Sequence, residues 1–252
     1  MKQTLLSIWA WACISIIIIV GFFIFLVVRL VTWPFDRDSL IVGRMWRLSG
    51  VLASKLNPLW RFRVHGELPR RRPEGMVVVS NHRSQADPFL ISHLPWEMKW
   101  LSKAIVFRIP FVGWSMRMAG DIPVNRGMRD SARAAMSRCA EYLKRGVPVM
   151  IFPEGTRSKV PEMLPFKDGA FRLAIEMQAA ILPLAVAGTG TALPKHDWRF
   201  GRAEAWVTVG EPIPTRGMTL DDLDTLKALA RERIEALLDR VTPLATRNPP
   251  KG

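Results

Sequence analysis

Two short polar runs in this sequence carry side chains whose types and spacing could do chemistry. The first is Asn81-His82-Arg83-Ser84-Gln85-Ala86-Asp87-Pro88, which follows the apolar run Met76-Val77-Val78-Val79-Ser80. The apolar run reads as a short buried strand, and Asp87 with Pro88 reads as the N-cap and first position of a helix. A histidine therefore ends a strand, with a carboxylate following at a helix start. Such a carboxylate can hold one imidazole nitrogen and leave the other free as a base. The plainer alternative is a helix cap beside an ordinary loop histidine, and this motif alone does not exclude it.

The second run decides more. Val149-Met150-Ile151-Phe152 is a buried-strand signature that leads directly into Pro153-Glu154-Gly155-Thr156-Arg157-Ser158. Charged side chains at the mouth of a buried strand cost desolvation unless they pair or meet a ligand. Arg157 can grip a phosphate through two parallel hydrogen bonds, and Gly155 lets a backbone approach closely. Gly120-Asp121-Ile122-Pro123-Val124-Asn125-Arg126 delivers another arginine after a strand-like segment. The alternative for each arginine is a surface ion pair. Ligands of α/β sheets bind beyond the carboxyl ends of strands, where both His82 and the Glu154 run would fall.

The elements that must position these residues alternate. Strands are expected at Arg61–Val64, Met76–Ser80, Lys99–Ser102, Asp121–Asn125, Pro148–Phe152, Ile181–Ala187 and Glu204–Val209. Helices are expected at Pro88–Leu94, Pro110–Met118, Asp130–Lys144 and Gly169–Met177, with a last one over Leu220–Leu238 that starts at a Thr219 cap. In that last helix Leu223, Leu226, Ile234 and Leu237 form a core-facing stripe. This is an α/β pattern: a mixed, mostly parallel sheet of seven strands flanked by helices. The tail from Thr246 reads as disordered, and Arg70-Arg71-Arg72 as a solvated basic loop.

Gln3 to Val28 is a run of 26 residues without a charge. As a helix it would be about 39 Å long, enough to cross a hydrocarbon core of about 30 Å with tilt. Trp9, Trp11 and Trp33 lie towards its ends, as interfacial anchors do. A cleaved signal peptide would have a shorter core and a small-residue cleavage site, whereas Arg29-Leu30-Val31-Thr32-Trp33-Pro34 follows here, so a retained anchor is expected. Lys2 precedes the run, while Arg29, Arg37, Arg44, Arg47 and Lys55 follow it, which puts the bulk of the protein on the cytoplasmic side. After a cap at Asp38-Ser39, an amphipathic helix is expected to stop at Asn57-Pro58. Its apolar stripe of Ile41, Met45, Trp46, Leu48, Leu52 and Leu56 is flanked by Arg44, Arg47 and Lys55. Such a helix can lie among lipid headgroups with its cations on phosphates, or pack on the globular domain. Together these segments make a two-helix membrane-binding unit over residues 1–58, followed by an α/β domain over 59–242 and a flexible tail over 243–252.

Lys and Arg number 36 against 22 Asp and Glu, a net charge of +14. Such a chain favours an anionic partner: nucleic acid, a membrane surface or a phosphorylated substrate. No nucleic-acid motif is present and the apolar anchor argues for membrane, so no nucleic-acid partner is expected. Cys13 and Cys139 show neither pairing nor metal-ligand spacing, which fits a reducing compartment.

With these residues in hand, the sequence resembles the 1-acyl-sn-glycerol-3-phosphate acyltransferases, the lysophosphatidic acid acyltransferase group of glycerolipid acyltransferases. Asn81 to Asp87 resembles the family's first block, His-x4-Asp. Gly120 to Arg126 resembles the second, with Pro123 where a hydrophobic residue is common. Phe152 to Ser158 matches the third throughout, and Leu182-Pro183-Leu184 is similar to the fourth. Lys103 and Pro110-Phe111-Val112-Gly113-Trp114 resemble the stretch between the first two blocks, although Lys103-Ala104-Ile105-Val106 lacks the family's glutamate. The resemblance covers about Arg61 to Pro214.

What it implies is transfer of a fatty acyl group from acyl-CoA or acyl carrier protein to the sn-2 hydroxyl of lysophosphatidic acid, giving phosphatidic acid. His82 would be the general base and Asp87 its orienting partner. Lys103, Arg126 and Arg157 would hold the acceptor phosphate, Glu154 the glycerol moiety, and Gly155 and Thr156 would shape that pocket. The apolar stretch Ile105 to Met118 could line an acyl-chain groove or form a plain core helix. The resemblance implies no metal and no cofactor beyond the acyl donor, membrane lipids as partners and, in a bacterium, the inner face of the cell membrane. An acyl-enzyme on Ser84 or Cys139 would need a base that neither residue has in the sequence. Other readings are a different lysophospholipid acceptor, a phospholipid donor as in transacylases, or a lipid-binding protein without catalysis. The presence of both His82 and Asp87 weighs against the last.

Overall fold

The computed structural model describes residues 1–68, 73–158, 160, 162–194 and 197–246. The basic run at 70–72 and the tail beyond Thr246 lie outside them. The chain opens with α1 (Lys2–Thr32) and α2 (Leu40–Leu56) and then enters the sheet at β1 (Trp60–His65). There follow β2 (Val77–Ser80), α3 (Asp87–Ile91), β3 (Lys99–Lys103), α4 (Val112–Met118), β4 (Ile122–Val124), α5 (Arg129–Lys144), β5 (Val149–Ile151), α6 (Gly169–Met177), β6 (Ile181–Ala187), β7 (Ala203–Val209) and α7 (Leu223–Thr246).

The seven strands form one sheet in the order β1-β7-β6-β2-β5-β3-β4. From β6 to β4 all neighbours are parallel, while β7 runs antiparallel to β6 and parallel to β1. The valines of β2 explain its central place. Successive side chains point to opposite faces, so Val77 and Val79 enter one core and Val78 the other. A strand apolar on both faces can only sit inside a sheet covered on both sides. Leu226, Ala230, Ile234, Leu237 and Val241 of α7 cover the first face together with α5 and α6. On the second face Leu90, Ile91, Leu94 and Trp100 pack against Met150, Leu182, Leu184 and Val207.

The last helix runs past the expected end at Leu238 to Thr246, with Pro243 inside its final turn. The expected start of a flexible tail at 243 therefore falls within this helix. Its amino end is as read: Thr219 and Asp222 form a capping box. At α2 the expected Asp38-Ser39 cap is replaced. Ser39 adopts a left-handed conformation and gives no side-chain cap, and Asp36 accepts from the backbone N–H groups of Leu40 at 2.8 Å and Ile41 at 2.9 Å.

The two amino-terminal helices dock on the domain. Gln3 donates to the carbonyl of Phe200 at 3.1 Å, and the N–H of Phe200 donates to the Ser7 hydroxyl at 3.0 Å. The indole N–H groups of Trp9 and Trp11 donate to the carbonyls of Leu56 and Trp198. Farther along the helix, Phe22 packs on Phe111 and Trp114, each at 5.4 Å between ring centres. A 31-residue helix is about 47 Å long, so α1, tied to the domain at its start and again at Phe22 about two thirds of the way along, lies along it. Its outer side, including Leu5, Ile16, Val20, Phe23, Val27 and Val31, is exposed, as are Ile41, Leu48, Leu52 and Leu56 of α2. Arg47, expected to flank that stripe towards lipid, instead turns inward and pairs with Asp121 and Glu97. Lys99, fully buried, donates to Ser39 and Ala119 carbonyls and to Glu97 at 3.0, 2.7 and 3.3 Å. Two cations and two carboxylates thus bolt α2 to the starts of β3 and β4, because none of the four can stay buried without the others.

Candidate active site

Because β2, β5, β3 and β4 are parallel neighbours, the residues that follow them emerge along one edge of the sheet. His82 follows β2, Glu154 to Arg157 follow β5, Lys103 closes β3 and Arg126 follows β4. At about 4.8 Å between strands this row is about 14 Å wide. Here β2 also meets β6, so the row lies where successive connections leave in opposite directions, the usual crevice of such sheets.

At one end of the row, His82 Nδ1 lies 2.8 Å from Asp87 Oδ2. The same oxygen accepts the backbone N–H groups of Arg83 at 2.7 Å and Ser84 at 2.9 Å. The other, Oδ1, accepts the Thr189 hydroxyl at 2.5 Å. Asp87, expected at the helix start with its carboxylate on the imidazole, is the first residue of α3, one position past the N-cap, and its fully buried carboxylate makes that contact. Phe152 stacks on the imidazole at 4.0 Å between ring centres and fixes its plane. With Nδ1 engaged by a carboxylate it donates there, and Nε2 carries the lone pair.

The backbone of His82 is gripped as well. Its N–H donates to Glu154 Oε1 at 2.7 Å, and its carbonyl accepts from Ser158 N–H at 2.9 Å. The two ends of the Glu154–Ser158 run thereby clamp the residue that carries the base. Glu154 Oε2 accepts Leu164 N–H at 2.8 Å. Burial pushes the Glu154 carboxyl above its ordinary value, and the two N–H groups oppose that shift. Gly155 has φ +70°, a left-handed conformation that favours glycine, and a Cβ on it would lie 2.9 Å from Cε of the Lys167 side chain, which would have to shift.

At the other end stand the cations. Arg126, which follows β4, is held below its ordinary value, first by burial and then by the charge of Arg157. Neither these arginines nor Lys103 has a carboxylate partner among the described residues. Thr156 is exposed beside them, and Lys103 is exposed on the strand between those that deliver the arginines, without contact to the His82 network. Ser84 and Cys139 are not nucleophiles in waiting. Ser84 is buried and accepts Ala86 N–H at 3.2 Å, while Cys139 sits in the core on α5 with its thiol pushed up to about 12 by burial.

The sequence model of the family described as Acyltransferase matches residues 61–187. The chain belongs to the Acyltransferase family. A 1-acyl-sn-glycerol-3-phosphate acyltransferase of Chlamydomonas reinhardtii is 32% identical over 72% of this chain and 54% of its own length. A chloroplastic one of Brassica napus is 41% identical over 54% of this chain and 40% of its own length, and the human alpha enzyme is 36% identical over 60% and 54%. The chain thus spans about half or less of these relatives. The crystal structure of the 1-acyl-sn-glycerophosphate acyltransferase PlsC of Thermotoga maritima superposes with a TM-score of 0.81 over 95% of this chain and 96% of that one, at 23% identity, and so shares the fold. Within this acyltransferase domain the structure adds residues that the motifs alone did not assign. Thr189 follows β6, and its signal was the polar Gly188-Thr189-Gly190 turn after a strand that borders β2. Lys167 and Arg231 reach the site from the strap after Ser158 and from α7, with no local pattern to mark them.

Proposed function

We propose that the protein is a membrane-associated acyltransferase that moves a fatty acyl group from acyl-CoA or acyl carrier protein to the sn-2 hydroxyl of lysophosphatidic acid. The observation that carries this reading is the His82–Asp87 pair at 2.8 Å on the same sheet edge as two arginines that have no carboxylate partner among the described residues. His82 Nε2 takes the hydroxyl proton as the oxygen attacks the thioester carbonyl. Asp87 stabilises the imidazolium that results. Collapse of the tetrahedral intermediate breaks the C–S bond, and the imidazolium returns the proton to the leaving thiolate. The sum is ester plus thiol, with His82 restored. Arg126 and Arg157, with Lys103 beside them, take the acceptor phosphate, whose charge relieves the repulsion between the guanidiniums. Glu154, Gly155 and Thr156 form the floor on which the glycerol rests.

The chain docks its amino-terminal helices along the domain and leaves their apolar sides outward, which favours immersion in one leaflet over a perpendicular crossing. Ile105, Ile109 and Trp114 are exposed and continue that apolar surface from α1 to Lys103, giving acyl chains a path from lipid to the site.

The test is transfer by the purified protein in detergent micelles, offered a mixture of lysolipids with acyl-CoA or acyl carrier protein and read by mass spectrometry. Phosphatidic acid should be the main product, and His82→Ala should abolish it while remaining folded. A folded wild-type protein that transfers nothing, or an equally active His82→Ala, would sink the proposal. Preference for another lysophospholipid would relocate the acceptor and leave the base in place.

A further inference from the structure

The match to the family ends at residue 187, yet the site is completed from beyond it. The strap that leaves Ser158 returns under α7, where Arg231 donates to the carbonyl of Met163 at 2.8 Å and to that of Leu164 at 3.1 Å. Its guanidinium lies 5.6 Å from the Phe166 ring centre, and its Nε bonds Glu235 at 3.0 Å. One planar fork thus holds two successive carbonyls on two terminal NH2 groups at a fixed spacing, a geometry that a shorter side chain ending in a point-like ammonium does not reproduce. The N–H between those carbonyls is that of Leu164, and it is the one that holds Glu154 Oε2 at 2.8 Å. Glu154 Oε1 in turn holds the N–H of His82 at 2.7 Å.

We propose that Arg231, on the carboxy-terminal helix, is a positioning residue of the active site: by fixing the Met163–Leu164 strap it clamps Glu154 against the backbone of the catalytic histidine. The inference rests on the reading of His82 and Glu154 given above. Arg231 also acts through its charge. The groups that face Glu154 are His82 from the loop after β2 and Arg231 from α7, and both oppose the upward push of burial on its carboxyl. Without the arginine, Glu154 would take up its proton at a higher pH, and a protonated carboxyl cannot accept both N–H groups through two free oxygens.

The experiment uses the full chain in detergent micelles, with Arg231→Gln, Arg231→Lys and, as a surface control, Glu235→Gln. Hydrogen exchange at the Leu164 N–H reads the clamp, and the pH titration of the Leu164 amide resonance reads Glu154. Exchange should quicken in both Arg231 variants. The titration midpoint should rise in Arg231→Gln and stay in place in Arg231→Lys, which keeps the charge but not the fork. Glu235→Gln should change neither. Turnover should fall roughly tenfold, and up to about 100-fold, in Arg231→Gln, since small displacements of a reacting group carry costs of that size. Unchanged exchange at Leu164 in Arg231→Lys, or an unmoved midpoint in a folded Arg231→Gln, overturns the proposal. Because both readouts are independent of turnover, a wild-type protein without acyl transfer would defeat the functional reading and still leave the clamp decided.

Discussion

Replacing Asp87 by asparagine isolates what its charge does. Three N–H groups converge on Oδ2, from His82 Nδ1 and from the backbones of Arg83 and Ser84 at 2.8, 2.7 and 2.9 Å. An amide must therefore put its oxygen there and its NH2 towards Thr189, whose hydroxyl can turn to accept it. The donors stay satisfied and the histidine keeps its tautomer, so the fold should survive. What disappears is the negative charge beside the imidazolium as it forms. At about 4 Å between charge centres and an effective dielectric constant of about 20, that attraction is about 4 kcal/mol. Lost wholly from the transition state, it slows turnover roughly 1,000-fold. The assay is kcat for acyl transfer to lysophosphatidic acid at saturating donor, with thermal unfolding to certify the fold. Asp87→Ala is the contrast, since it strands three N–H groups in a buried site at about 1–3 kcal/mol each and should destabilise the protein as well. If Asp87→Asn kept its fold and lost less than about tenfold in kcat, the carboxylate would not be stabilising an imidazolium.

Other perturbations test other parts of the structure. Arg157→Ala should raise the KM for lysophosphatidic acid roughly 10- to 100-fold with little change in kcat, as expected for a lost charge-assisted hydrogen bond, and should leave an unphosphorylated monoacylglycerol unaffected. Equal losses with both acceptors would remove Arg157 from the phosphate site. His93, half-buried just after α3 with Nε2 at 2.9 Å from the Ser54 hydroxyl of α2, is lowered to about 4, first by burial and then by the charge of Lys55. Its folded value lies below its unfolded one, so the unfolded chain binds more protons between about pH 4 and 6.5, and stability must fall as pH drops through that window. Discounted for partial exposure, the loss is about 2 kcal/mol, read as a urea midpoint that declines with acid in the wild type and more shallowly in His93→Phe. Arg47→Ala leaves Asp121 and Glu97 buried without their guanidinium and should cost about 3–5 kcal/mol in unfolding free energy. A change below about 1 kcal/mol would mean that water compensates the cluster.

How much of this was legible in the sequence depended on how local the cause was. The central strands were visible because runs such as Val77-Val78-Val79 and Val149-Met150-Ile151 are apolar on both faces and are soon followed by Asn or Pro. Gly169–Met177 was read to the residue, since its apolar spacing and its neighbours agree. The helix α7 was expected to stop at Leu238, yet Val241 still faces the core and packing carries the helix through Pro243. Arg47 was misread for a tertiary reason. Its spacing on α2 puts it beside the apolar stripe, but the face it chooses is set by Glu97 and by Asp121, 74 residues away. The cap at Asp36 was missed because Ser39, the better residue by type, is held in a left-handed turn that keeps its side chain from reaching the helix.

The same rule sorts the site, and it explains why the site is chemically usable. His82 and Asp87 belong to one loop, so their pairing was readable; Thr189 is 102 residues from Asp87 and enters only because β6 borders β2. What no motif reveals is the division of charge along the sheet edge. Both carboxylates stand within reach of arginines in sequence, and had Glu154 paired with Arg157 the site would neutralise itself before any ligand arrived. Instead the oxygens of Glu154 are taken by the N–H groups of His82 and Leu164, and those of Asp87 by His82, Arg83, Ser84 and Thr189. These two carboxylates are occupied by neutral donors or by the base, and among the described residues Arg126 and Arg157 have no carboxylate partner. A doubly charged phosphate is then the cheapest way to satisfy Arg126 and Arg157. Glu154→Ala supplies the test of this division: releasing the clamp should damage kcat through His82, whereas the affinity for inorganic phosphate as a competitive inhibitor should stay within about twofold of wild type, since no acid was shielding the arginines. A large gain in phosphate affinity would mean that Glu154 had been screening them after all.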